Sequence, residues 1–366
     1  MSIETRVAQL IRPEIRALQA YPVGDARGMI KLDAMENPFH WPAEMVSEWL
    51  QILSECAINR YPHPTAPEVI AGLRDAMKVP DQYDIVLGNG SDEIIQLLTM
   101  AVALPGATVL APEPGFVMYK MIATYVGVNY VGVPLNEDFS LNRDAMLSAI
   151  KEHQPALIYL AQPNNPSGNL WDEDVLHAII QASKGLVVLD EAYLPFSSRN
   201  HLSWLDKYEH VVVMRTLSKV GLAGLRLGML FGRSEWLNEI NKIRMPYNIN
   251  VLTQASAAYA LKHYRVLHDQ CGVIKKERQI MQDKLRKLGF QVFDSEANFV
   301  LARVDAATLK CDARGIFEQL KNHKILIKCL DGAHPLLTQC LRFTVGSSAE
   351  NKSLFQALEK ILNALK

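Results

Sequence analysis

Short runs of consecutive apolar residues alternate with helix-like patterns through the middle of the chain. Six runs predict β-strands, at residues 84–87, 108–111, 129–133, 156–161, 185–189 and 210–214. Between them apolar residues recur at helical spacing, so strands and helices alternate. Strands that are apolar on successive positions are typical of a parallel sheet with helices on both faces. The pattern therefore predicts an α/β fold on a mostly parallel sheet.

The pattern changes after about residue 255. Residues 270–288 predict a long charged helix that ends at Gly289. Short strands are predicted at 290–293, 298–302, 325–328 and 340–345, with helices around 307–321 and 349–365. This mixture predicts a smaller α+β domain. We divide the chain into an N-terminal arm that includes part of the small domain (1–45), a large domain (46–255) and a small C-terminal domain (256–366).

Polar residues follow the carboxyl ends of the central strands. The segments are GNGSDE after Leu87, PEPGF after Ala111, QPNNPSG after Ala161, DEAY after Leu189 and RTLSK after Met214. In an open α/β sheet, ligands bind beyond the carboxyl ends of the strands. The sequence therefore predicts one functional site at one edge of this sheet.

Composition and charge narrow the class of protein. Of 366 residues, 49% are hydrophobic and 21% are charged, as in an ordinary globular protein. The net charge of −1 argues against a nucleic-acid partner. No apolar stretch approaches the ~20 residues that span a bilayer, and the N-terminus has no signal-peptide pattern, so we expect no membrane partner. Five cysteines without a C-x-x-C pair predict reduced thiols in a cytoplasmic protein.

Three groups at the strand ends could act together. Lys219 follows an apolar strand, where burial can lower the pKa of an amine towards neutrality. Asp190 ends another such strand, where a carboxylate needs a cationic partner. Residues 88–93 place glycines before a helix start, which offers N–H groups to an anion, and Ser218 and Arg226 could complete a phosphate site.

Each of these signals also fits an ordinary role. Taken singly, the lysine could lie on the surface, the carboxylate could belong to an ion pair, and the glycines could precede a simple capped helix. Together they are the groups that pyridoxal 5′-phosphate requires: an amine for the Schiff base, a carboxylate that keeps the ring nitrogen protonated, and a phosphate site.

Ordered motifs strengthen this interpretation. NNPSG, DEAY, TLSK and GLAGLR make the chain resemble the fold type I pyridoxal-phosphate aminotransferases. LDAMENP, NRYP, GNGSDE and CLRFTVGS are similar to motifs of the histidinol-phosphate aminotransferase branch of that family. The resemblance runs from about residue 21 to the last strand. It implies a large domain with a mostly parallel seven-stranded sheet, a smaller α+β domain, a pyridoxal 5′-phosphate cofactor and a homodimer with shared active sites.

The resemblance implies roles around the cofactor. Lys219 would form the Schiff base and move the proton, and Asp190 would pair with the ring nitrogen. Asn165 and Tyr193 would bind the phenolic oxygen, and Phe116 would stack on the ring. The residues implied at the phosphate are Ser91, Asp92, Ser218, Arg226 and the partner subunit's Tyr61.

The resemblance also implies the substrates. The reaction would be reversible amino transfer from L-histidinol phosphate to 2-oxoglutarate, giving imidazole-acetol phosphate and L-glutamate, a step of histidine biosynthesis. Arg342 would bind the phosphate of one substrate and the carboxylate of the other. Many family members have an arginine where this chain has Lys328, which keeps the charge but lacks the planar fork. Tyr21 and Asn37 match positions that line this pocket, or else pack in the N-terminal arm.

Other functions were weighed against the same residues. An aromatic amino-acid aminotransferase and a threonine-phosphate decarboxylase share the implied fold and stay open. A non-catalytic binding domain is disfavoured by the presence of both Lys219 and Asp190. A nicotinamide-dependent dehydrogenase would need a glycine fingerprint that the chain lacks. No H-E-x-x-H or similar histidine spacing occurs, so we expect no metal.

Overall fold

Strands and helices alternate through the middle of the chain, as the sequence predicts. The computed structural model describes residues 1–20 and 24–365. Its strands are β1 (Ile30–Lys31), β2 (Asp84–Asn89), β3 (Thr108–Glu113), β4 (Asn129–Pro134), β5 (Leu157–Ala161), β6 (Leu186–Asp190), β7 (Val211–Thr216), β8 (Leu227–Gly232), β9 (Gln291–Val292), β10 (Phe299–Arg303), β11 (Ile325–Leu326), β12 (Lys328–Cys329) and β13 (Cys340–Thr344).

The helices in the same part of the chain are α1 (Ile3–Leu10), α2 (Pro13–Arg16), α3 (Ala43–Ser54), α4 (Pro67–Met77), α5 (Ser91–Ala101), α6 (Met118–Val126), α7 (Arg143–His153), α8 (Glu173–Ala182), α9 (Trp204–Lys207), α10 (Ser234–Ile243), α11 (Val251–Lys262), α12 (Tyr264–Lys287), α13 (Ala306–Leu309), α14 (Ala313–Asn322) and α15 (Ser348–Ala364). Short helical turns lie at Leu194–Phe196, Ser218–Leu222, Ala223–Leu225 and Pro335–Leu337.

The large sheet has seven strands in the order β2-β8-β7-β6-β5-β3-β4. Neighbours from β7 to β4 pair in parallel, whereas β8 runs antiparallel to β2 and β7. The predicted seven-stranded, mostly parallel sheet is confirmed. The six apolar runs correspond to β2–β7. The strand β8 is not among them, because its apolar residues directly follow the GLAGLR segment and only two short helical turns separate it from β7.

Apolar side chains cover both faces of this sheet. Every residue of β5, β6 and β7 is buried. Helix α5 packs on one face through Ile94 and Ile95, and α8 packs on the other through Ile179 and Ile180. Two buried faces explain why these strands are apolar on successive positions rather than on alternate ones.

The C-terminal part forms a separate antiparallel sheet in the order β12-β13-β10-β9. The predicted strand 325–328 is wrong as a single element, because β11 pairs with β1 while β12 pairs with β13. The predicted helix 307–321 is two helices, α13 and α14; the chain turns between them at Lys310, whose φ is 53°. The long helix begins earlier than predicted, at Tyr264, and ends before Gly289, whose φ is 94°.

The N-terminal segment joins the C-terminal part of the structure. Strand β1 pairs in parallel with β11, and the backbone N–H of Thr344 donates to the carbonyl of Leu32 at 3.1 Å. This pairing brings residues 34–36 to the edge of the large sheet, where they line a cavity. The division at residues 45 and 255 stays a prediction. Within residues 1–20 and 24–365, no helix is long and apolar enough to cross a membrane.

Candidate active site

A cavity of about 410 Å³ lies at the carboxyl ends of the central strands. The residues after β5, β6 and β7 form its floor, and segment 34–36 and the start of α5 form its walls. It brings together nine residues that the sequence predicted at the cofactor: Ser91, Asp92, Phe116, Asn165, Asp190, Tyr193, Ser218, Lys219 and Arg226.

Lys219 projects into this cavity from the turn that follows β7. Gly221, with a φ of 118°, allows that turn to fold tightly after the strand. The lysine Nζ lies 3.4 Å from the carbonyl oxygen of Ala34 and 5.6 Å from the ring centroid of Tyr193. Burial, and then the nearby charge of Arg342, lower the pKa of Lys219 to about 8. Part of the amine is therefore neutral near neutral pH, which is the form that attacks carbonyl carbons and accepts protons.

Asp190 is the last residue of β6 and is buried. Its Oδ2 accepts a hydrogen bond from the Tyr119 hydroxyl at 2.5 Å, and its Oδ1 accepts one from the Ala192 N–H at 3.0 Å. No lysine, arginine or histidine of the described residues forms an ion pair with it. Burial raises the pKa of Asp190 to about 6, although both hydrogen bonds oppose that rise. The carboxylate suits a cationic ligand that enters from the cavity.

The residues around the N-terminus of α5 could hold an anion. Gly90 precedes this helix with a φ of 80°, and a side chain there would lie within 2.6 Å of the Arg226 guanidinium. Gly228 of β8 lies close to the first residue of α5, since a Cβ on Gly228 would be 2.6 Å from the Ser91 nitrogen. Arg226 forms an ion pair with Asp92 at 3.1 Å. Glycines thus let an arginine and free helix N–H groups converge on one point, as phosphate binding requires.

A hydrogen-bonded chain connects this cavity to the C-terminal sheet. The Arg342 guanidinium on β13 donates to Asn165 Oδ1 at 2.7 Å and to the Asp33 carbonyl at 2.9 Å. Asn165 Nδ2 in turn donates to the Tyr193 hydroxyl at 3.1 Å. These three side chains are buried, so each is fixed by its neighbour.

A second cavity of about 360 Å³ adjoins the first and shares Met35, Phe116 and Asn165 with it. Both Arg342 and Lys328 line it, as predicted for a substrate site. Two further groups line it that the sequence did not single out, Lys120 and His334. A cavity with two lysines, one arginine, a histidine and one carboxylate, Glu113, favours an anionic ligand.

Of the predicted site residues, two lie apart from these cavities and a third lies outside the described residues. Tyr61 is 81% exposed and stacks on Tyr247 with ring centroids 4.6 Å apart. Asn37 donates to the carbonyl of Val220 at 3.0 Å, so it contacts the turn that carries Lys219 rather than lining the cavity. Tyr21 lies outside the described residues.

Tyr119 is the main contact that sequence reasoning missed. It lies one helical turn after Phe116 and contacts Asp190 directly. The only feature of the sequence that marks Tyr119 is an aromatic residue at the start of a helix. An aromatic residue in that position far more often belongs to the core than to a site. His334 and Lys120 lie in segments without a motif and could be found only from the cavity that they line.

Comparisons with known proteins agree with this geometry. The model of the family described as aminotransferase class I and II matches residues 27–358. Histidinol-phosphate aminotransferase 2 of Nitrosococcus oceani is 50% identical over 355 residues, which cover 97% of this chain and 98% of that protein. Histidinol-phosphate aminotransferase 1 of Ralstonia nicotianae is 49% identical over 362 residues, covering 97% and 95%. The structure of histidinol-phosphate aminotransferase from Sinorhizobium meliloti in complex with pyridoxal-5′-phosphate is similar, with a TM-score of 0.85, 25% identity and 98% coverage of both chains.

Proposed function

The chain belongs to aminotransferase class I and II, an enzyme family that uses pyridoxal 5′-phosphate, and we propose that it transfers the amino group of L-histidinol phosphate to 2-oxoglutarate. The products are imidazole-acetol phosphate and L-glutamate, and the reaction is reversible. This places the enzyme in histidine biosynthesis, as the names of relatives at 49–50% identity suggest.

The observation that carries the proposal is the pair of adjoining cavities. The first combines an amine of lowered pKa, a buried carboxylate without an ion-pair partner in the described residues, and an anion site at a helix N-terminus. The second is lined by two lysines, one arginine and a histidine. A cofactor that carries a phosphate fits the first cavity, and a substrate with its own anionic group fits the second.

The residues of the first cavity fit pyridoxal 5′-phosphate. When bound, this cofactor supplies a ring that withdraws electrons from the substrate carbon bearing the amino group. We assign Lys219 to the covalent bond with the cofactor and to proton transfer at that carbon. Asp190 would accept a hydrogen bond from the ring N–H, Asn165 and Tyr193 would bind the phenolic oxygen, and Phe116 would pack on the ring. The residues that would hold the phosphate are Ser91, Asp92, Ser218 and Arg226.

The second cavity binds the substrate anion in this proposal. The guanidinium of Arg342, which lines this cavity, pairs with the phosphate or carboxylate of the substrate in this proposal. Glutamate and histidinol phosphate bind in turn, so one arginine serves both. Lys328, which lines the same cavity, adds a charge without the planar fork, and Lys120 and His334 complete the lining. In this proposal Asn37 acts on the turn that carries Lys219, through its hydrogen bond to the Val220 carbonyl, and the role of Tyr21, which lies outside the described residues, stays a prediction.

We further propose a homodimer in which the partner subunit's Tyr61 completes the phosphate site. The support is its exposure: this large aromatic side chain is 81% exposed and stacks only on Tyr247 among the ring contacts of the described residues. Ile58, three residues before Tyr61, and Met245, two residues before Tyr247, are also largely exposed. Such a cluster of apolar side chains favours association with a second copy.

Subunit complementation tests the shared site. Mixing a Lys219→Ala chain with a Tyr61→Ala chain gives heterodimers in which one site carries both changes and the other carries neither. We expect activity above either parent, up to about half the normal value per heterodimer, because a two-fold dimer has two such sites. As the control, a Tyr125→Ala chain is mixed with the Lys219→Ala chain in place of the Tyr61→Ala chain, because Tyr125 is an exposed tyrosine on another part of the surface. A fully active monomer would contradict the proposal.

Two placements accompany this function. We propose that residues 46–255 form the cofactor-binding domain and 256–366 the smaller domain, with 1–45 as the arm that joins it; the pairing of β1 with β11 supports the last assignment. We also propose a cytoplasmic location, supported by five free cysteines in the described residues, none of them in a disulfide.

A comparison of amino donors tests the substrate. Glutamate formation from 2-oxoglutarate is measured with histidinol phosphate, histidinol, phenylalanine and tyrosine. We expect kcat/KM for histidinol phosphate to exceed the others by at least about 100-fold, because a site built for a charged group discriminates against analogues that lack it. Higher efficiency with phenylalanine or tyrosine would identify an aromatic amino-acid aminotransferase. Carbon dioxide release from threonine phosphate would identify a decarboxylase.

A further inference from the structure

Two buried tyrosines stack beneath the cofactor cavity. Tyr119 of α6 and Tyr159 of β5 lie with ring centroids 4.3 Å apart and planes 5° from parallel. Their hydroxyl groups have different partners. Tyr119 donates to Asp190 Oδ2 at 2.5 Å, whereas Tyr159 donates to the carbonyl of Ile95 at 3.2 Å.

The position of Tyr119 is fixed on more than one side. It is 2% exposed, stacks on Tyr159 and contacts the edge of Phe116 at a centroid distance of 5.6 Å and an angle of 86°. Tyr159 is itself anchored on α5, where its hydroxyl lies within 3.4 Å of Thr99. The Tyr119 hydroxyl therefore has little freedom to turn away from Asp190.

The charges around Asp190 make this hydrogen bond important. Asp92 on α5 and Glu191, the residue after β6, are both negative and disfavour the ionised form of Asp190, as does burial. The cations that line the same cavity are Lys219 and Arg226. Burial and the nearby Asp190 raise the pKa of Tyr119 well above its ordinary value, so the phenol remains a donor at every working pH.

We propose that Tyr119 is a positioning residue for Asp190, whose carboxylate it holds in place and keeps ionised for the ring nitrogen of the cofactor. This inference rests on the proposed role of Asp190. Two hydrogen bonds stabilise the negative charge of Asp190, one from the Tyr119 hydroxyl and one from the Ala192 N–H. Without the Tyr119 hydroxyl, only the second would remain. A protonated Asp190 could not stabilise a protonated ring nitrogen, and the cofactor would bind less tightly at neutral pH.

Binding of pyridoxamine 5′-phosphate to the cofactor-free protein tests this idea without catalysis. This aminated form has no carbonyl group, so it makes no bond to Lys219. Its dissociation constant is measured from pH 5 to pH 9 for the wild type, Tyr119→Phe and Tyr159→Phe. Both changes remove one buried hydroxyl from the same stacked pair, but only Tyr119→Phe removes a hydrogen bond to Asp190.

We expect Tyr119→Phe to bind about two- to tenfold more weakly at pH 7 and to approach the wild type near pH 9. The pH at which binding strengthens should move upward by about one to two pH units, the effect of losing a charge-assisted hydrogen bond. Tyr159→Phe should follow the wild-type curve within about twofold. In turnover, Tyr119→Phe should lower kcat. The pH below which kcat falls should move upward by the same one to two pH units.

The outcomes separate this inference from the function on which it rests. Asp190→Asn should bind weakly at all pH values. If Asp190→Asn binds as tightly as the wild type, the proposed role of Asp190 fails. If Asp190→Asn is weak but Tyr119→Phe keeps the wild-type curve, only the role of Tyr119 is overturned. Equal losses in Tyr119→Phe and Tyr159→Phe would show that the pair serves packing alone.

Discussion

Asp190 and Glu191 are adjacent buried carboxylates with opposite surroundings. Asp190 faces the cavity, accepts a hydrogen bond from Tyr119, and has its pKa raised to about 6 by burial. Glu191 points to the other side of the sheet, where its oxygens accept from Arg215 at 2.8 Å and from His201 at 2.9 Å. Burial alone would raise the pKa of Glu191, but Arg215 and His201 outweigh it and the pKa is lowered.

Two buried arginines show the same difference. Arg215 lies behind the sheet, pairs with Glu191 and covers the ring of Phe231 at 5.3 Å. Arg342 lies beside the cavities and donates to two neutral oxygens, those of Asn165 and Asp33. Behind the sheet, Arg215 and Glu191 balance each other within the chain, whereas at the first cavity Arg226 pairs with Asp92 but Asp190 has no ion-pair partner among the described residues. Under the proposed function, Glu191 and Arg215 hold the fold, whereas Asp190 and Arg342 meet the charges of bound ligands.

Lys219→Ala should give the largest effect on the cavity side. We expect turnover to fall by at least about 10⁴-fold, because Lys219 is the one lysine among the described residues that line this cavity. The unfolding free energy of the cofactor-free protein should not fall, since burial opposes the charge of this lysine. Glutamate formation and urea unfolding measure the two effects. Comparable turnover in the variant would remove Lys219 from the mechanism.

Glu191→Gln should give the largest effect behind the sheet. It leaves the buried guanidinium of Arg215 without its carboxylate, which costs about 3–5 kcal/mol of unfolding free energy. The double variant Glu191→Gln/Arg215→Met removes both charges and should recover part of the loss. Urea unfolding of both proteins tests this. If the single variant were as stable as the wild type, the distinction between the two sides would not hold.

Arg342→Ala should weaken both half-reactions. We expect kcat/KM to fall with histidinol phosphate and with glutamate alike, because a bidentate, charge-assisted contact is lost. The fall corresponds to a rise of about 2–4 kcal/mol in activation free energy. Single-turnover measurements with each amino donor provide the test. A loss confined to one donor would mean that the two anions occupy different sites.

Asp190→Asn should change how stability depends on pH. The raised pKa of Asp190 means that the fold favours its protonated form, so this stability is present below about pH 4 and is lost as pH rises through about 6. The variant lacks that titration. The difference in unfolding free energy, variant minus wild type, should therefore be about 2–3 kcal/mol more positive at pH 7 than at pH 4. A pH-independent effect of the substitution on stability does not change this comparison. A difference independent of pH would contradict the charge assignment.

The sequence predicted the parts of the fold that depend on local pattern. Strands β2–β7 were predictable because two covered faces require apolar residues on successive positions. The strand β8 was not, because the turn that carries Arg226 leads straight into it. The division of segment 325–328 between two sheets depends on long-range pairing with β1 and β13, which a local pattern does not encode.

The same limit applies to the candidate site. Lys219 and Asp190 could be singled out because each follows or ends an apolar strand within a short motif. Arg342 needed the family resemblance, since nothing local marks it. Tyr119 could not be distinguished from a core aromatic residue, because its role depends on an Asp190 contact 71 positions away.

The assignment of the cavity depends most directly on one measurement. The protein is loaded with pyridoxal 5′-phosphate, the carbon–nitrogen bond between cofactor and lysine is reduced with borohydride, and the peptides are mapped by mass spectrometry. We predict a single pyridoxyl group on Lys219, with none on Lys120, which lines the adjoining cavity. A pyridoxyl group on Lys120, or on any lysine other than Lys219, would contradict the account.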